Sequence, residues 1–343
     1  MKHVPRICLI LGASLANWLA AAPAVAQSNN SQKSNGFLLV ANKGNDTLSV
    51  VEVNLGIQVA VIPEGATTGH EVAVSQDGRR AFVPIYGSAG VGQAGTDGRL
   101  IRVMDLRRSR IVATVDLGRG MRPHRPVVGP KDGLLYVTTE LDDSVTIIDP
   151  KSLRIVGSVP TGSPQSHMLA ISSDGLLGYT ANVNPGSVSV LDLKSRRLVT
   201  TIPVAPIIQR IALSADDRMA FTADQTAARL VVIDTGTNSE STSIPLPGLG
   251  FGTAATPDGR WLIVALPAID MVGVVDLTTM TVVHTLNVPK APQEVLVRPD
   301  GEVAYVSCDA SGQVAVINVG TWRLERLITV GPVDDGLAWV KAN

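Results

Sequence analysis

Apolar side chains along this chain fall in short runs, and each run is bounded by a cluster rich in Gly, Asp, Asn, Ser or Pro. An Asp-Gly-like turn recurs at Asp77, Asp132, Asp174, Asp216, Asp258 and Asp300, at an interval of 55 residues and then of 42 four times over. Asp-Gly between apolar runs predicts a type I′ hairpin, because glycine adopts positive φ without steric cost; Asp217 replaces the glycine in one copy. About 18 residues after each turn, an alternating strand ends on an acidic or amide residue: Asp105, Asp149, Asp192, Asp234, Asp276 and Asn318, with Glu52 in the first copy. A further strand follows, as in Arg154 to Val159, and another leads into the next turn.

Four short strands per repeat of about 42 residues predict the blade of a β-propeller. The chain enters at Phe37 to Ala41, a second-strand position, and leaves at Leu337 to Val340, a first-strand position. Three strands from one end and one from the other therefore share a blade. The predicted fold is all-β, a seven-bladed propeller of four-stranded antiparallel blades over residues 37–343, closed by that shared blade.

Composition fits such a ring and removes other classes. The chain has 343 residues, 45% apolar and 12 of them aromatic, so its core is built from aliphatic and β-branched side chains. The charge of 29 Lys and Arg against 30 Asp and Glu excludes a strongly basic nucleic-acid binder, and two cysteines exclude a disulfide scaffold.

The first 26 residues read as a separate object: a basic start at Met1 to Arg6, an apolar stretch from Ile7 to Ala22, then Ala24-Val25-Ala26. This is the pattern of a secretory signal cleaved after Ala26, which predicts a periplasmic or secreted protein with no membrane insertion. Residues 27–36 are polar and read as a disordered lead-in. Without the signal, 27 basic residues face 30 acidic ones for a net charge of −3, and Cys308 is left without a disulfide partner.

The tetrapeptide Tyr136-Val137-Thr138-Thr139, with looser copies at Tyr305-Val306-Ser307-Cys308 and Phe221-Thr222-Ala223-Asp224, resembles the signature of the YVTN family of exported seven-bladed propellers. The resemblance extends to the related lactonase-type propellers and covers residues 37–340. It implies the propeller fold; the family includes surface-layer proteins, proteins labelled as DNA-binding, and enzymes. Nucleic acid is not expected here, given the negative charge and exported address.

In antiparallel blades the Asp-Gly turns lie on one face, and the entries to the innermost strands lie on the other. Seven residues before each turn, allowing one extra in the second, the entry positions are His70, His124, His167, Gln209, Phe251, Gln293 and Asp335. Three of the four histidines left after cleavage stand here, on consecutive blades. Imidazoles around a common axis could hold Zn²⁺, Fe²⁺, Cu²⁺ or Mn²⁺. The competing reading is structural, since YVTN-type repeats often carry His here to cap or pack between blades.

Glu71, Glu294 and Arg125 are candidate catalytic groups beside the histidines, with the carboxylates as a ligand or general base. Arg122, Gln165, Arg210, Gln293 and Tyr86 are candidate substrate contacts, and the mixture of arginine with histidine favours an anionic ligand. The long 55-residue interval carries an insertion, Tyr86 to Gly98, on the histidine face, whose five glycines suggest a mobile lid or substrate-ordering loop, with a tolerated insertion without function as the equal alternative. Glu140, Asn182, Asp224 and Asp309, on loops of the same face, read mostly as turn formers. His284 reads as structural or surface. Cys308 has no aligned histidine to activate it.

Together these residues predict an exported propeller enzyme with a metal-assisted site at the channel mouth, acting on an oxygenated small molecule as a lactonase-like hydrolase or a lyase. The alternative is a non-catalytic propeller that binds a ligand or a periplasmic protein on the same rim.

Overall fold

A computed structural model describes residues 36–341. The expected signal and all but the last residue of the expected lead-in lie outside them. The chain is a seven-bladed β-propeller. Each blade is a four-stranded antiparallel sheet. In the first blade, Asp334–Lys341 is innermost and is followed outward by Gly36–Asn42, Thr47–Glu52 and Ile57–Pro63. Gly36 pairs with Lys341 and Val40 with Leu337, so the shared blade is the closure that the sequence predicts.

Seven apolar clusters are found among the described residues, and each joins side chains of two neighbouring blades. Both faces of a blade are therefore covered. This corrects the expected alternation in the third strand of each blade: Ser144–Asp149 is buried at every position but its last, and only the outermost strand, Arg154–Pro160, is largely exposed. A strand packed on two sides needs apolar groups at successive positions.

The turns also differ in detail from the expected type I′. Gly78, Gly133, Gly175, Gly259 and Gly301 have φ between 69° and 76°, while the preceding aspartates do not take positive φ. Asp217, in the glycine place, has φ 60°. Each aspartate instead accepts the backbone N–H two residues on, as Asp77 does from Arg79 and Asp174 from Leu176. The recurrent aspartate is thus a turn-builder that uses its side chain as an internal acceptor. Asp149 and its counterparts accept a backbone N–H two or three residues on, at the turn into the outer strand.

The innermost strands carry register shifts between Pro123 and Pro126, Ser166 and Met168, and Pro292 and Val295. A bulge breaks the two-residue alternation, so successive side chains can face the same side. At the channel mouth this happens to His124 with Arg125, and it positions the site.

Candidate functional site

Two layers of side chains cross the axis. In the upper layer His124 and His167 stack with ring centroids 3.6 Å apart, and His70 meets His124 edge-on at 5.2 Å. Tyr86 lies against all three, 5.0 Å from His70, 5.4 Å from His124 and 6.2 Å from His167. His124 and His167 are buried, and their Nδ1 atoms have no hydrogen-bond partner. Nε2 of His167 lies 3.3 Å from Nε2 of Gln209, and Nε2 of His70 lies 3.3 Å from the Thr68 hydroxyl.

Burial holds all three imidazoles neutral. The pKa of His70 is lowered to about 4 by burial, with Asp335 opposing and Lys43 and Arg210 adding to the shift. His124 and His167 are pushed down further by burial and by the surrounding imidazoles and arginines. An unfolded imidazole takes its proton near 6.5, so His70 contributes stability above that pH and loses it as pH falls through about 4. A pH series of ¹H–¹³C spectra should show the His70 Cε1–H signal titrating near 4 and those of His124 and His167 unmoved from pH 5 to 8. A His70 midpoint above 6 would contradict this burial.

The lower layer is ionic and spans the ring. Arg210 binds Glu71 at 3.0 Å and also contacts Glu294 and Asp335; Arg125 binds Glu294 at 2.9 Å and contacts Glu71. Lys43 reaches Asp335 at 3.1 Å and Asp309 at 3.6 Å. Both guanidinium groups point into the channel, joining blades far apart in sequence. Three cations therefore face Glu71, Glu294 and Asp335. Burial raises the pKa of Asp335, but Arg210, Lys43 and His70 outweigh it and hold the carboxyl below its usual range. Beneath this layer lies a channel cavity of about 340 Å³.

A third cluster sits under the glycine-rich insertion. The Tyr86 hydroxyl donates to Glu140, whose other oxygen accepts the Gly92 N–H at 3.1 Å. Arg122 binds Glu140 at 3.2 Å and Asp97 at 2.7 Å, and donates to the carbonyls of Gly90 and Gln93. The insertion is therefore latched at several points by one buried ion pair, in contrast to the mobile lid its five glycines suggested. Gln165 packs against Gly92 at the same place.

Of the expected site residues, the structure brings together His70, His124, His167 and Tyr86 in one layer, and Glu71, Arg125, Arg210 and Glu294 in the next. Gln293 is half-buried at the rim. Arg122 and Gln165 stand apart, at the insertion. Two corrections follow. The arginines are occupied by carboxylates, so the reason for expecting an anionic ligand is gone. Glu71 and Glu294 are each held by two arginines, which leaves neither as a free base.

Glu140, expected to form a turn, is a central buried group, and Lys43, which no repeat position marks, also belongs to the site. Both act through partners distant in sequence. Asp224 is the expected turn former, accepting from the N–H and hydroxyl of Thr226. His284 is exposed beside Trp261 and Trp322, and burial pushes the Cys308 thiol up to about 12, away from reactivity.

The three histidines as placed do not fit one tetrahedral ion. Two imidazoles on such an ion stand about 5 Å apart between centres. His70 and His124 meet this, but the His124–His167 stack is too close and its in-plane lone pairs do not converge. No group of three or more His, Cys, Asp or Glu arranged for a metal occurs among the described residues.

No family model and no curated protein matches this sequence. Among solved structures the chain is similar to hydrazine synthase of Kuenenia stuttgartiensis, at 17% identity over 82% of this chain and 92% of that one, with TM-score 0.71. It is also similar to a functionally unknown protein from Desulfotomaculum acetoxidans, at 13% identity over 90% and 99%, with TM-score 0.74. A third is the dihydro-heme d1 dehydrogenase NirN in complex with DHE, at 14% identity over 91% and 77%, with TM-score 0.64. At these identities the likeness shows the fold. No helix among the described residues is long and apolar enough to cross a membrane.

Proposed function

We propose that this is an exported propeller that binds and transforms a small, neutral, oxygenated molecule at the histidine end of its channel. The observation that carries this reading is the pair of buried, stacked imidazoles whose Nδ1 atoms lack partners. A buried polar atom left unmatched costs about 1–3 kcal/mol, and ligand hydroxyl groups, which can both donate and accept, would recover it: Gln209 donates to His167 Nε2, so the neutral His167 presents Nδ1–H to an accepting ligand oxygen. The charge-balanced layer below supplies a floor without attracting an anion. Proton transfer falls to the neutral histidines, because the carboxylates are engaged. That chemistry suits lactone hydrolysis or an elimination, in which a base removes a proton from water or from carbon.

Two of these structural neighbours, hydrazine synthase and the dehydrogenase NirN, are enzymes, so the scaffold is compatible with catalysis as well as binding. The test is hydrolysis of a δ-lactone by protein dialysed against EDTA. Turnover should fall at least 100-fold in His124→Ala and in His167→Ala with the ring still folded. Lactone that binds without turnover would leave a binding propeller, and neither binding nor turnover would remove the proposal. A visible d–d band on adding Co²⁺, lost in His70→Ala, would instead show that the stack opens to admit a metal ion.

A further inference from the structure

On the face bearing the Asp-Gly turns, clefts open between neighbouring blades. The one between the second and third blades, about 770 Å³, mixes Arg79, Arg80 and Lys151 with Asp77, Asp105, Asp132 and Asp149. The one between the first and second blades, about 730 Å³, has no acidic residue in its lining. Its walls are Phe37, Val50, Val59, Ala60, Leu106 and Val340, and its rim carries Arg79, Arg107 and Lys341. The difference has a topological cause. In each of the other six blades an Asp-Gly-like turn joins the innermost strand to the next and projects its aspartate here. In the first blade these two strands, Asp334–Lys341 and Gly36–Asn42, come from opposite ends of the described chain, so no such turn joins them.

The three rim cations are exposed and none is within 4 Å of a carboxylate among the described residues, though Arg79 is shared with the neighbouring cleft and acts on Asp77 from there; Arg107 and Lys341 face this cleft alone, on a protein that is slightly acidic as a whole. Next to the cleft, the outer strand Ile57–Pro63 exposes Ile57 and Val59 at 50% each, which extends the apolar wall outward. A cleft of this size with an apolar body and a few polar groups at one end has the form of a small-molecule site. The cations at the rim set the sign of the head group, and the depth of apolar wall suits a hydrocarbon tail.

We infer that this cleft binds a single-chain amphipathic anion, a fatty-acid carboxylate or its like, with the chain between the first two blades and the carboxylate among Arg79, Arg107 and Lys341. The site is separate from the histidine end of the channel and independent of its chemistry.

Isothermal titration of the full chain with dodecanoate, below its micelle concentration, tests this. Saturable binding of one equivalent is expected, weakened at least tenfold by Arg107→Glu and abolished by Ala60→Trp, which fills the cleft. Thermal unfolding of each variant, compared with the parent, confirms that the ring is intact. Dodecyltrimethylammonium, with the same tail and a cationic head, should not bind. Three outcomes would overturn the inference: no dodecanoate binding, binding unchanged in Arg107→Glu, or equal binding of the cationic amphiphile. Sedimentation with phosphatidylglycerol vesicles in the absence of dodecanoate binding would overturn it too, by assigning the cations to a lipid surface.

Discussion

Arg210→Met should lower the unfolding free energy by about 3–5 kcal/mol. The guanidinium is 5% exposed and contacts three carboxylates, of which Glu71 is 0%, Asp335 3% and Glu294 6% exposed. The intact network adds little net stability, since desolvating its members offsets their attraction; what is costly is a charge left without its partner. Arg125 and Lys43 would still serve part of the triad, but neither contacts all three acids. Arg210→Lys should recover only a small part, because a single ammonium lacks the planar fork that spans diverging partners. Combining Arg210→Met with Glu71→Gln, Glu294→Gln and Asp335→Asn should cost much less than the sum of the separate losses. Urea unfolding with linear extrapolation measures each; a loss below about 1 kcal/mol for Arg210→Met would show that water reaches this layer.

Gly252→Ala is expected to be nearly as damaging, for a steric reason. An added Cβ would lie 1.9 Å from the Gln293 carbonyl oxygen of the next blade. Overpacking of this kind costs about 1–3 kcal/mol, and backbone cannot move aside as a flexible side chain does. The backbone that must yield also carries Glu294, so the ionic layer is disturbed with it. Gly320→Ala is the control: its Cβ would meet only the Asn318 Oδ1 at 3.5 Å, and unfolding should change by less than about 0.5 kcal/mol. Equal effects from the two substitutions would mean that the blades slide past one another more freely than their packing implies.

The architecture was legible because its signal is repeated. Six Asp-Gly-like turns mark the period, and the entry and exit strands declare the shared blade. The histidines were legible for the same reason, as three copies at one repeat position. What the sequence concealed was pairing. Arg210 and Glu294 are 84 residues apart and Arg125 and Glu294 are 169 apart, so nothing local shows that they cancel each other's charge. Nor does a bulge announce itself: simple alternation would turn one of His124 and Arg125 away from the axis. Glu140 was hidden by resemblance to its turn-forming counterparts, though an acid on the loop beside an inserted segment with Arg122 was a usable hint.

The shared first blade also shapes how the molecule must assemble. The other six blades are contiguous hairpins that can form as soon as their own residues are available. Pairing Gly36–Asn42 with Asp334–Lys341 instead closes a loop of roughly 300 residues, an entropic cost of about 5 kcal/mol against about 3 for a loop the length of one blade. The seam is thus the last contact made and a natural place for the ring to begin opening. A six-blade intermediate would present two raw blade faces to its neighbours, so crowding during synthesis favours exchange of the end strands between copies.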